Sequence, residues 1–452
     1  MSSGGEALCK GIHPLLTDLY ELTMLQAYWG EGLQDEAVFS LFFRRLPATR
    51  NYMVACGLDD ALRYLEQLRF DEPAIAYLRT LDLFSEGFLA WLSDFRFTGD
   101  VYALPEGTPV FPQEPLCEVV APLPEAQLVE SAVMNQIHLQ TVLASKASRV
   151  VTAADGRTVV DFGMRRMHGI DAAVKGARAF YVAGVHATSN VRAGQIYGIP
   201  VAGTMAHSYV QAHAREADAF RAFASLFPGT VLLVDTYDPL QAVRKVVDLA
   251  RAQGPDFRVR GVRLDSGDLL ELAHRAREIL DAAGLSRLEI FASGNLDEDG
   301  IAELLRRGAP IDAFGVGTRM GVSRDAPALD MAYKLTEYAG AGRLKTSPGK
   351  AILPGRKQVF RVERDGRAVE DVVARCGESL PGRPLLAQVM RRGRRLPGAS
   401  EPLERTRARA AAELGLLPDS VRALEPAAPP YPVSISEALR DHQREVGERV
   451  GE

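Results

Sequence analysis

One histidine stands at a position where an α/β protein usually carries its chemistry. His207 follows Gly203, which ends a short apolar run, and a helical pattern begins directly after Ser208. Glycine lets a backbone approach a ligand closely, and Thr204 adds a hydroxyl group to the same turn. Residues that follow the carboxyl ends of strands build the active sites of barrel enzymes. A single histidine here often only caps a helix or packs, so its interpretation depends on the rest of the chain.

Chemically active residues also follow the other predicted strands in this half of the chain. They include aromatic rings, carboxylates, guanidinium groups and glycine-rich turns, which together suit a flat ring and an anionic sugar phosphate. A glycine-rich turn after the last barrel strand typically binds phosphate through backbone N–H groups. The candidate residues are Phe162, Arg165, Ser189, Asp235, Arg263, Asp265, Ser293, Gly294, Gly317 and Thr318.

Asp235 is the candidate partner of His207. It ends the predicted strand that follows the His207 segment, and neighbouring parallel strands lie about 4.8 Å apart. An ionised Asp235 would hold one ring N–H group and leave the other nitrogen free to attack a phosphoryl group. The sequence therefore predicts that these two side chains meet at the mouth of a barrel.

The elements that must position these residues follow a repeating pattern of strand, glycine and helix. About seven apolar runs with helical patterns between most of them predict parallel strands arranged as a barrel. An open doubly wound sheet is the alternative, but no GxGxxG motif follows a strand. The predicted strands span residues 158–160, 180–182, 201–202, 231–234, 259–264, 288–291 and 313–316.

The pattern of the chain changes near Pro124 and again after Asp330. Residues 1–124 combine a helix that begins near Thr17 with strand and turn patterns, and antiparallel strand patterns follow the barrel region. We therefore predict an α/β barrel over residues 125–340 and an α+β domain built from residues 1–124 and 341–452. Tyr20 lies at the capped start of the first helix, where an aromatic ring could stack on a ligand.

Composition argues against several classes of function. The formal net charge is −5, which gives no reason to expect nucleic acid or an anionic membrane as a partner. The four cysteines lie far apart and never in CxxC spacing, which argues against a thiolate zinc site and fits a reducing compartment. The N-terminus lacks the apolar region of a signal peptide, and no apolar run is long enough to span a membrane. We expect a cytoplasmic protein.

The segments that carry these residues together resemble the nicotinate phosphoribosyltransferase family. They occur in the order found in the family and cover roughly residues 14–360. The matching segments are TDLYELTM (17–24), FFRRLP (42–47), DFGMRR (161–166), GVHATSNV (184–191), GTMAHS (203–208), VDTYDP (234–239), RLDSGDL (263–269), FASGNLD (291–297) and GVGTRM (315–320).

The resemblance implies a fold and an activity. The family joins an incomplete α/β barrel to an α+β domain built from both chain ends, the arrangement of type II phosphoribosyltransferases. Its members convert nicotinate and 5-phosphoribosyl 1-pyrophosphate to nicotinate mononucleotide and pyrophosphate in NAD salvage. They couple this reaction to ATP hydrolysis through a phosphohistidine, use Mg²⁺, and act as dimers whose active sites take residues from both subunits.

The resemblance also implies roles for individual residues. His207 would be the phosphorylated histidine, and Asp235 its partner. Phe162 and the partner subunit's Tyr20 would stack on the two faces of the pyridine ring. Thr204 and Arg263 would lie beside nicotinate. Asp265 would hold the ribose hydroxyls, directly or through Mg²⁺. The 5′-phosphate would be held by Arg165, Gly294, Gly317 and Thr318.

Two alternative functions stay open at this stage. Nicotinamide phosphoribosyltransferases are related enzymes in which an aspartate occupies the position that corresponds to Ser189. Because a carboxylate would repel nicotinate whereas serine can donate a hydrogen bond to it, Ser189 favours the acid. A non-catalytic, metabolite-binding relative would need a broken motif, and the sequence shows none.

Overall fold

A computed structural model describes residues 13–345 and 352–451. The chain divides into a first unit, which contains residues up to 144 and from 328 onward, and a second unit of residues 145–327. Residues 1–12, which include Cys9 and the segment considered as a signal peptide, lie outside the described residues. So do residues 346–351 of the predicted antiparallel strands.

The amino-terminal part of the first unit alternates helices with strands. Its elements are α1 (Leu19–Glu31), β1 (Glu36–Phe43), β2 (Met53–Val54), α2 (Leu58–Gln67), α3 (Glu72–Arg79), α4 (Glu86–Ser93), β3 (Asp100–Ala103), β4 (Pro109–Val110), β5 (Cys117–Pro122), α5 (Leu123–Leu128) and α6 (Glu130–Ala153). The division between the units falls inside α6, twenty residues after the predicted boundary, because Val133, Ile137 and Val142 pack into the core of the first unit.

The second unit is a series of parallel strands, most of which are followed by a helix. Two short 3₁₀ helices, Met164–Arg166 and Gly254–Asp256, interrupt the series. The other elements are β6 (Thr158–Asp161), α7 (Ile170–Val182), β7 (Ala187–Thr188), α8 (Val191–Tyr197), α9 (His207–Gln211), α10 (Glu216–Leu226), β8 (Val231–Leu233), α11 (Pro239–Gln253), β9 (Gly261–Leu264), α12 (Leu269–Ala282), β10 (Glu289–Ser293), α13 (Glu298–Arg306), β11 (Ala313–Val316) and α14 (Thr318–Gly321).

The carboxyl-terminal part returns to the first unit. Its elements are β12 (Met331–Tyr338), β13 (Ala341–Gly342), β14 (Lys357–Arg364), β15 (Arg367–Arg375), β16 (Arg383–Pro384), β17 (Ala387–Arg391), β18 (Arg394–Arg395), α15 (Leu403–Leu416), α16 (Asp419–Arg422), β19 (Val433–Ile435) and α17 (Glu437–Gly451).

In the main sheet of the first unit, strands from the carboxyl-terminal part flank three strands from the amino-terminal part. Among the described residues its order is β13-β12-β1-β5-β3-β17-β18, and every neighbouring pair is antiparallel. The stacked rings of Phe39 in β1 and Tyr333 in β12, 4.9 Å apart, join the two ends of the chain. The expected α+β domain built from both chain ends is therefore confirmed.

The second unit is an incomplete barrel. Within the part of the chain that the structure describes, six parallel strands follow the order β7-β6-β11-β10-β9-β8. A single parallel bridge between Thr188 and Val201 extends the β7 edge, and β8 forms the other edge. Among the described residues the two edges are not paired with each other, so the barrel is not closed. The predicted barrel class is confirmed.

Two of the predicted strands differ from the structure: residues 201–202 form only the isolated bridge at Val201, and the strand predicted at 180–182 is wrong. Residues 180–182 end helix α7, and the strand lies further on, at Ala187–Thr188. The buried residues Ala173, Ala177 and Phe180 recur at helical spacing, so the apolar run at 180–182 is the inner face of a helix end. Gly184 then turns the chain with a φ of 111°, a conformation that favours glycine.

No helix among the described residues is both long enough and apolar enough to cross a membrane.

Candidate active site

His207 lies at the start of α9, at the carboxyl ends of the barrel strands. Its Nδ1 is 3.2 Å from Oγ1 of Thr236, which follows β8. Its Nε2 is 3.8 Å from Oδ2 of Asp265, which follows β9. The side chain is 40% exposed, so a ligand can approach the ring. One ring nitrogen is thus held by a hydroxyl group, and the other faces a carboxylate.

Asp235 makes contacts other than the predicted one. Its Oδ2 accepts hydrogen bonds from the Asp265 backbone N–H at 2.8 Å and from Ser266 Oγ at 2.6 Å. No hydrogen bond or ion pair among the described residues joins it to His207, so the predicted contact is wrong. The next residue, Thr236, contacts the imidazole instead.

Arg263 connects three segments at the barrel mouth. Its Nη1 donates to Asp265 Oδ1 at 3.2 Å and to Ser293 Oγ at 3.3 Å, and its Nη2 donates to the Met205 carbonyl at 2.7 Å. The buried Ser293 hydroxyl also donates to Asp265 Oδ1. Burial lowers the pKa of Arg263, and the Asp265 carboxylate opposes that shift. A guanidinium remains charged in proteins, so the site keeps a fixed positive charge beside a fixed carboxylate.

Phe162 forms an aromatic platform next to this charge. Its ring stacks on Phe291 with centroids 5.9 Å apart, and the Arg263 guanidinium carbon lies 5.9 Å from the Phe162 centroid. A Cβ atom at Gly315 would lie 2.5 Å from the Phe162 ring, so only glycine leaves room for this ring position. The arrangement suits a flat ring that carries an anionic group.

A buried carboxylate fixes the loop that carries Phe162. Asp161 Oδ1 accepts from the Gly163 backbone N–H at 2.7 Å, and its Oδ2 accepts from Thr188 Oγ1 at 2.7 Å. Burial raises the pKa of Asp161, while the two hydrogen bonds lower it. The Ser189 backbone N–H donates to the Asp161 carbonyl at 2.8 Å, which places Ser189 beside the same loop.

Two glycine turns lie on neighbouring strands. Gly294 follows β10 with a φ of 97°, and a Cβ atom there would lie 2.0 Å from the Asp265 carbonyl oxygen. Gly317 follows β11, and a Cβ atom there would lie 3.2 Å from the Phe162 carbonyl oxygen. Thr318 then opens the short helix α14. Backbone N–H groups exposed at such turns can bind an anion.

The remaining predicted residues differ in how closely they join this site. Thr204 is half-buried in the segment before His207, and its hydroxyl donates to the Met205 carbonyl at 3.3 Å. Arg165 is exposed on the 3₁₀ helix after β6, and its charge contributes to the lowered pKa of Arg263. Tyr20 belongs to the first unit, where the residue is 45% exposed on the first turn of α1. Burial and the charge of Glu130 raise the pKa of Tyr20, which keeps its hydroxyl protonated.

No specific role was assigned from the sequence to three contributors to this region. Thr236 holds His207, the Met205 carbonyl binds Arg263, and an ion pair joins the two glycine turns, with Arg319 Nη1 2.7 Å from Asp297 Oδ2. Thr236 and Arg319 lie inside the segments VDTYDP (234–239) and GVGTRM (315–320), so membership of these segments was the available signal. A backbone carbonyl gives no signal in side-chain patterns.

The carboxylates of Asp235 and Asp265 are compatible with a metal ion that takes most of its ligands from the substrate. Among the described residues, no group of three or more histidine, cysteine or acidic side chains is arranged to hold a metal ion. Asp235 Oδ1 is buried and has no hydrogen-bond partner in the part of the chain that the structure describes, and Asp265 is partly exposed. Mg²⁺ commonly binds one or two protein carboxylates together with substrate phosphates, and this donor set is compatible with that mode.

Comparisons with known proteins agree with the geometry. Residues 15–138 match the model of the nicotinate phosphoribosyltransferase N-terminal domain, and residues 158–359 match that of the nicotinate phosphoribosyltransferase family. Nicotinate phosphoribosyltransferase pncB2 of Mycobacterium tuberculosis is 55% identical over 433 residues, which cover 96% of this chain and 94% of that protein. The Bacillus subtilis nicotinate phosphoribosyltransferase is 42% identical, over 77% of this chain and 73% of its own.

Solved structures show the same architecture. The crystal structure of human nicotinic acid phosphoribosyltransferase superposes with a TM-score of 0.84 at 28% identity, covering 95% of this chain and 99% of that one. A nicotinate-nucleotide pyrophosphorylase from Pyrococcus furiosus shares the fold, with a TM-score of 0.73 at 23% identity over 92% of this chain and 97% of its own.

Proposed function

The chain belongs to the nicotinate phosphoribosyltransferase family, and from this premise we propose that it makes nicotinate mononucleotide and pyrophosphate from nicotinate and 5-phosphoribosyl 1-pyrophosphate, in NAD salvage. The observation that carries the proposal is the grouping of an aromatic platform, a partly buried guanidinium and two glycine turns around His207. Each of these groups matches one part of the two substrates.

Nicotinate would lie on the Phe162 ring with its carboxylate toward Arg263. The stacking of Phe162 on Phe291 and the nearby guanidinium support this orientation, because they offer a flat surface and a positive charge together. Thr204 and Ser189 would add hydroxyl groups beside the carboxylate. A neutral amide would gain less from the charge of Arg263, so the site favours the acid over nicotinamide.

The sugar pyrophosphate would bind across the ends of β9, β10 and β11. Asp265 would accept the ribose hydroxyls, and its orientation is fixed by hydrogen bonds from Arg263 and Ser293. The 5′-phosphate would bind the backbone of the two glycine turns. The side chains and turns assigned to this phosphate are Arg165, Gly294, Gly317 and Thr318.

The reaction breaks the bond from the anomeric carbon to pyrophosphate and forms a bond to the pyridine nitrogen. Its transition state resembles an oxocarbenium ion, so catalysis depends on alignment of the nitrogen and on stabilisation of the departing charge. The Phe162 platform and Arg263 hold the nitrogen in place, while Asp265 and the glycine turns hold the sugar. Mg²⁺ bound at Asp265, with Asp235 behind it, would supply positive charge to the leaving pyrophosphate.

ATP would phosphorylate His207 and so couple its hydrolysis to the transfer. With its proton on Nδ1, the imidazole can donate a hydrogen bond to Thr236 Oγ1. The Nε2 lone pair is then free to attack the γ-phosphorus of ATP, and ADP departs. Later hydrolysis returns the imidazole and releases phosphate. The phosphoryl dianion would change the charge at the barrel mouth beside Asp265, which links ATP hydrolysis to substrate affinity.

The active site would be completed by a second copy of the chain. Tyr20 of the partner subunit would stack on the face of nicotinate opposite Phe162. Apolar side chains are exposed around Tyr20 in the first unit and around the β6 loop, α7 and α8 in the second, which supports contacts between copies. These side chains are Leu16, Leu19, Met164, Ile170 and Val191.

The test measures product and pyrophosphate formation with nicotinate or nicotinamide, each with the sugar pyrophosphate, in the presence and absence of ATP. We expect turnover of nicotinate, a lower KM when ATP is present, and little product from nicotinamide. Preferential turnover of nicotinamide would support the related amide-specific enzyme instead. Nucleotide binding without pyrophosphate release would support a non-catalytic relative.

A further inference from the structure

Two loops at the barrel mouth are joined by an ion pair outside the substrate-binding groups proposed above. Asp297 ends the loop that contains Gly294, and Arg319 lies two residues after Gly317. Arg319 Nη1 donates to Asp297 Oδ2 at 2.7 Å. Asp297 Oδ1 also accepts from the Gly300 backbone N–H at 3.0 Å and thereby caps α13. One carboxylate therefore fixes a helix start and binds the neighbouring loop.

A buried cluster of charges supports the same two loops. The Glu298 carboxylate, only 2% exposed, lies 2.5 Å from Lys146 Nζ and accepts from Arg149 Nε at 3.0 Å. Lys146 Nζ also lies 2.8 Å from Asp325 Oδ1, four residues after α14. Glu298 follows Asp297 directly. Lys146 thus connects the segment after one glycine turn to the segment after the other.

Buried charges of this kind have little freedom to move. Separating Lys146 from Glu298 would leave an ion inside the protein without its partner, which costs far more than rearranging an exposed pair. The start of α13 is therefore anchored to α6. The hydrogen bond from Arg319 to Asp297 in turn holds the loop after β11 against the start of α13.

We propose that the Asp297–Arg319 ion pair is a positioning device that sets the spacing between the Gly294 and Gly317 turns, so that both turns bind the same phosphate group. The inference rests on the proposed function, because it assigns the two turns to the 5′-phosphate. Arg319 acts through Asp297 and does not itself bind the phosphate. Its charge is compensated by that carboxylate.

The two substitutions that remove the pair test this inference. Asp297→Asn removes the charge but keeps a side-chain oxygen that can cap α13. Arg319→Gln removes the other charge. We expect each variant to raise the KM and the Kd for 5-phosphoribosyl 1-pyrophosphate about tenfold, because small displacements of binding groups are costly. The KM for nicotinate should change less than twofold. The double variant should be no worse than the worse single variant, since both changes break one interaction.

Three further measurements make the test specific. Arg319→Lys keeps the positive charge and should recover part of the affinity. Arg306→Gln removes the exposed Arg306–Glu303 pair on the same α13 and should leave both KM values unchanged. Melting temperatures of all variants report any general loss of stability.

Unchanged affinity for the sugar pyrophosphate in Asp297→Asn, together with a loss in Arg319→Gln, would overturn the inference, since Arg319 would then bind the phosphate directly. Additive losses in the double variant would also overturn it. Calorimetric binding of the sugar pyrophosphate does not depend on turnover. A wild-type protein that binds this ligand but makes no nicotinate mononucleotide therefore contradicts the proposed function and leaves the binding test of the ion pair valid.

Discussion

Nδ1 of His207 lies 3.2 Å from the hydroxyl oxygen of Thr236, and the neighbouring Asp235 turns toward the loop after β9. A hydroxyl group, rather than a carboxylate, therefore orients the imidazole. The Asp265 carboxylate lies on the other side of the ring, 3.8 Å from Nε2. This arrangement assigns different tasks to Asp235, Thr236 and Asp265, which follow the neighbouring strands β8 and β9.

Thr236→Val should slow phosphorylation of His207 by ATP. Valine has nearly the shape of threonine but cannot hydrogen-bond to Nδ1, and a neutral hydrogen bond contributes about 1 kcal/mol, which corresponds to roughly a fivefold change in rate. The rate of ³²P transfer from labelled ATP measures the effect. Thr236→Ser keeps the hydroxyl and serves as the control. Equal labelling rates in Thr236→Val and the wild type would show that Thr236 does not orient the ring.

Asp235→Ala should weaken binding of the sugar pyrophosphate more than it slows labelling. The substitution removes the acceptor for the Asp265 backbone N–H and for Ser266, so the loop that carries Asp265 loses two of its hydrogen bonds. Hydrogen bonds to a charged acceptor contribute about 1.5–3 kcal/mol, which predicts a rise in KM of tenfold or more.

Asp235→Asn is the matched variant, since its amide oxygen can still accept a hydrogen bond. It should show a smaller rise in KM. Abolished labelling in Asp235→Asn with an unchanged KM would restore the direct pairing of His207 and Asp235.

Gly294→Ala should destabilise the protein more than Gly308→Ala. Both glycines have positive φ values, 97° and 77°, so alanine is strained at either position. Only at Gly294 would the added Cβ atom meet backbone, 2.0 Å from the Asp265 carbonyl oxygen, whereas the space at Gly308 is open. Overpacking adds about 1–3 kcal/mol to the cost. Thermal melting of both variants measures the difference, and equal melting temperatures would contradict the close approach.

Glu114, a fully buried residue of the first unit, should make the free energy of unfolding decrease as pH rises. Burial, reinforced by the nearby Asp371 carboxylate, raises the pKa of Glu114 well above its ordinary value. A raised pKa in the folded state means that the stabilising contribution is complete below the ordinary pKa and is lost as pH rises through the folded value.

Glu114→Gln keeps an oxygen for the Phe111 backbone N–H, which Glu114 Oε2 accepts at 2.9 Å, and removes the titration. Denaturant unfolding from pH 4 to 8 should therefore give a flatter stability profile for this variant than for the wild type. Parallel profiles for the two proteins would show that Glu114 does not titrate in this range.

The sequence predicted the architecture because its signals are local and repeated. Apolar runs that end in glycine or acidic residues mark β6, β8, β9, β10 and β11, and these strands form the sheet as expected. The strand predicted at 180–182 was wrong because helix α7 is buried along one face to its end, and a short apolar run there has the pattern of a strand.

The sequence predicted which residues belong to the site better than it predicted which of them contact each other. Two motifs locate His207 and Asp235 at strand ends, but which of two successive side chains faces the imidazole depends on backbone direction at a single residue. The pairing of Asp297 with Arg319 depends on the neighbouring positions of β10 and β11 in the sheet. Such tertiary information is absent from local patterns.

The most direct test of the account is to find the residue that ATP phosphorylates. Incubation with γ-labelled ATP, followed by peptide mapping, should locate an acid-labile, base-stable phosphate on His207. His207→Ala should lose both the label and ATP hydrolysis while retaining its circular dichroism spectrum, and His274→Ala, on the exposed side of α12, should label as the wild type does. Label that persists in His207→Ala would place the phosphoryl acceptor elsewhere and contradict the account.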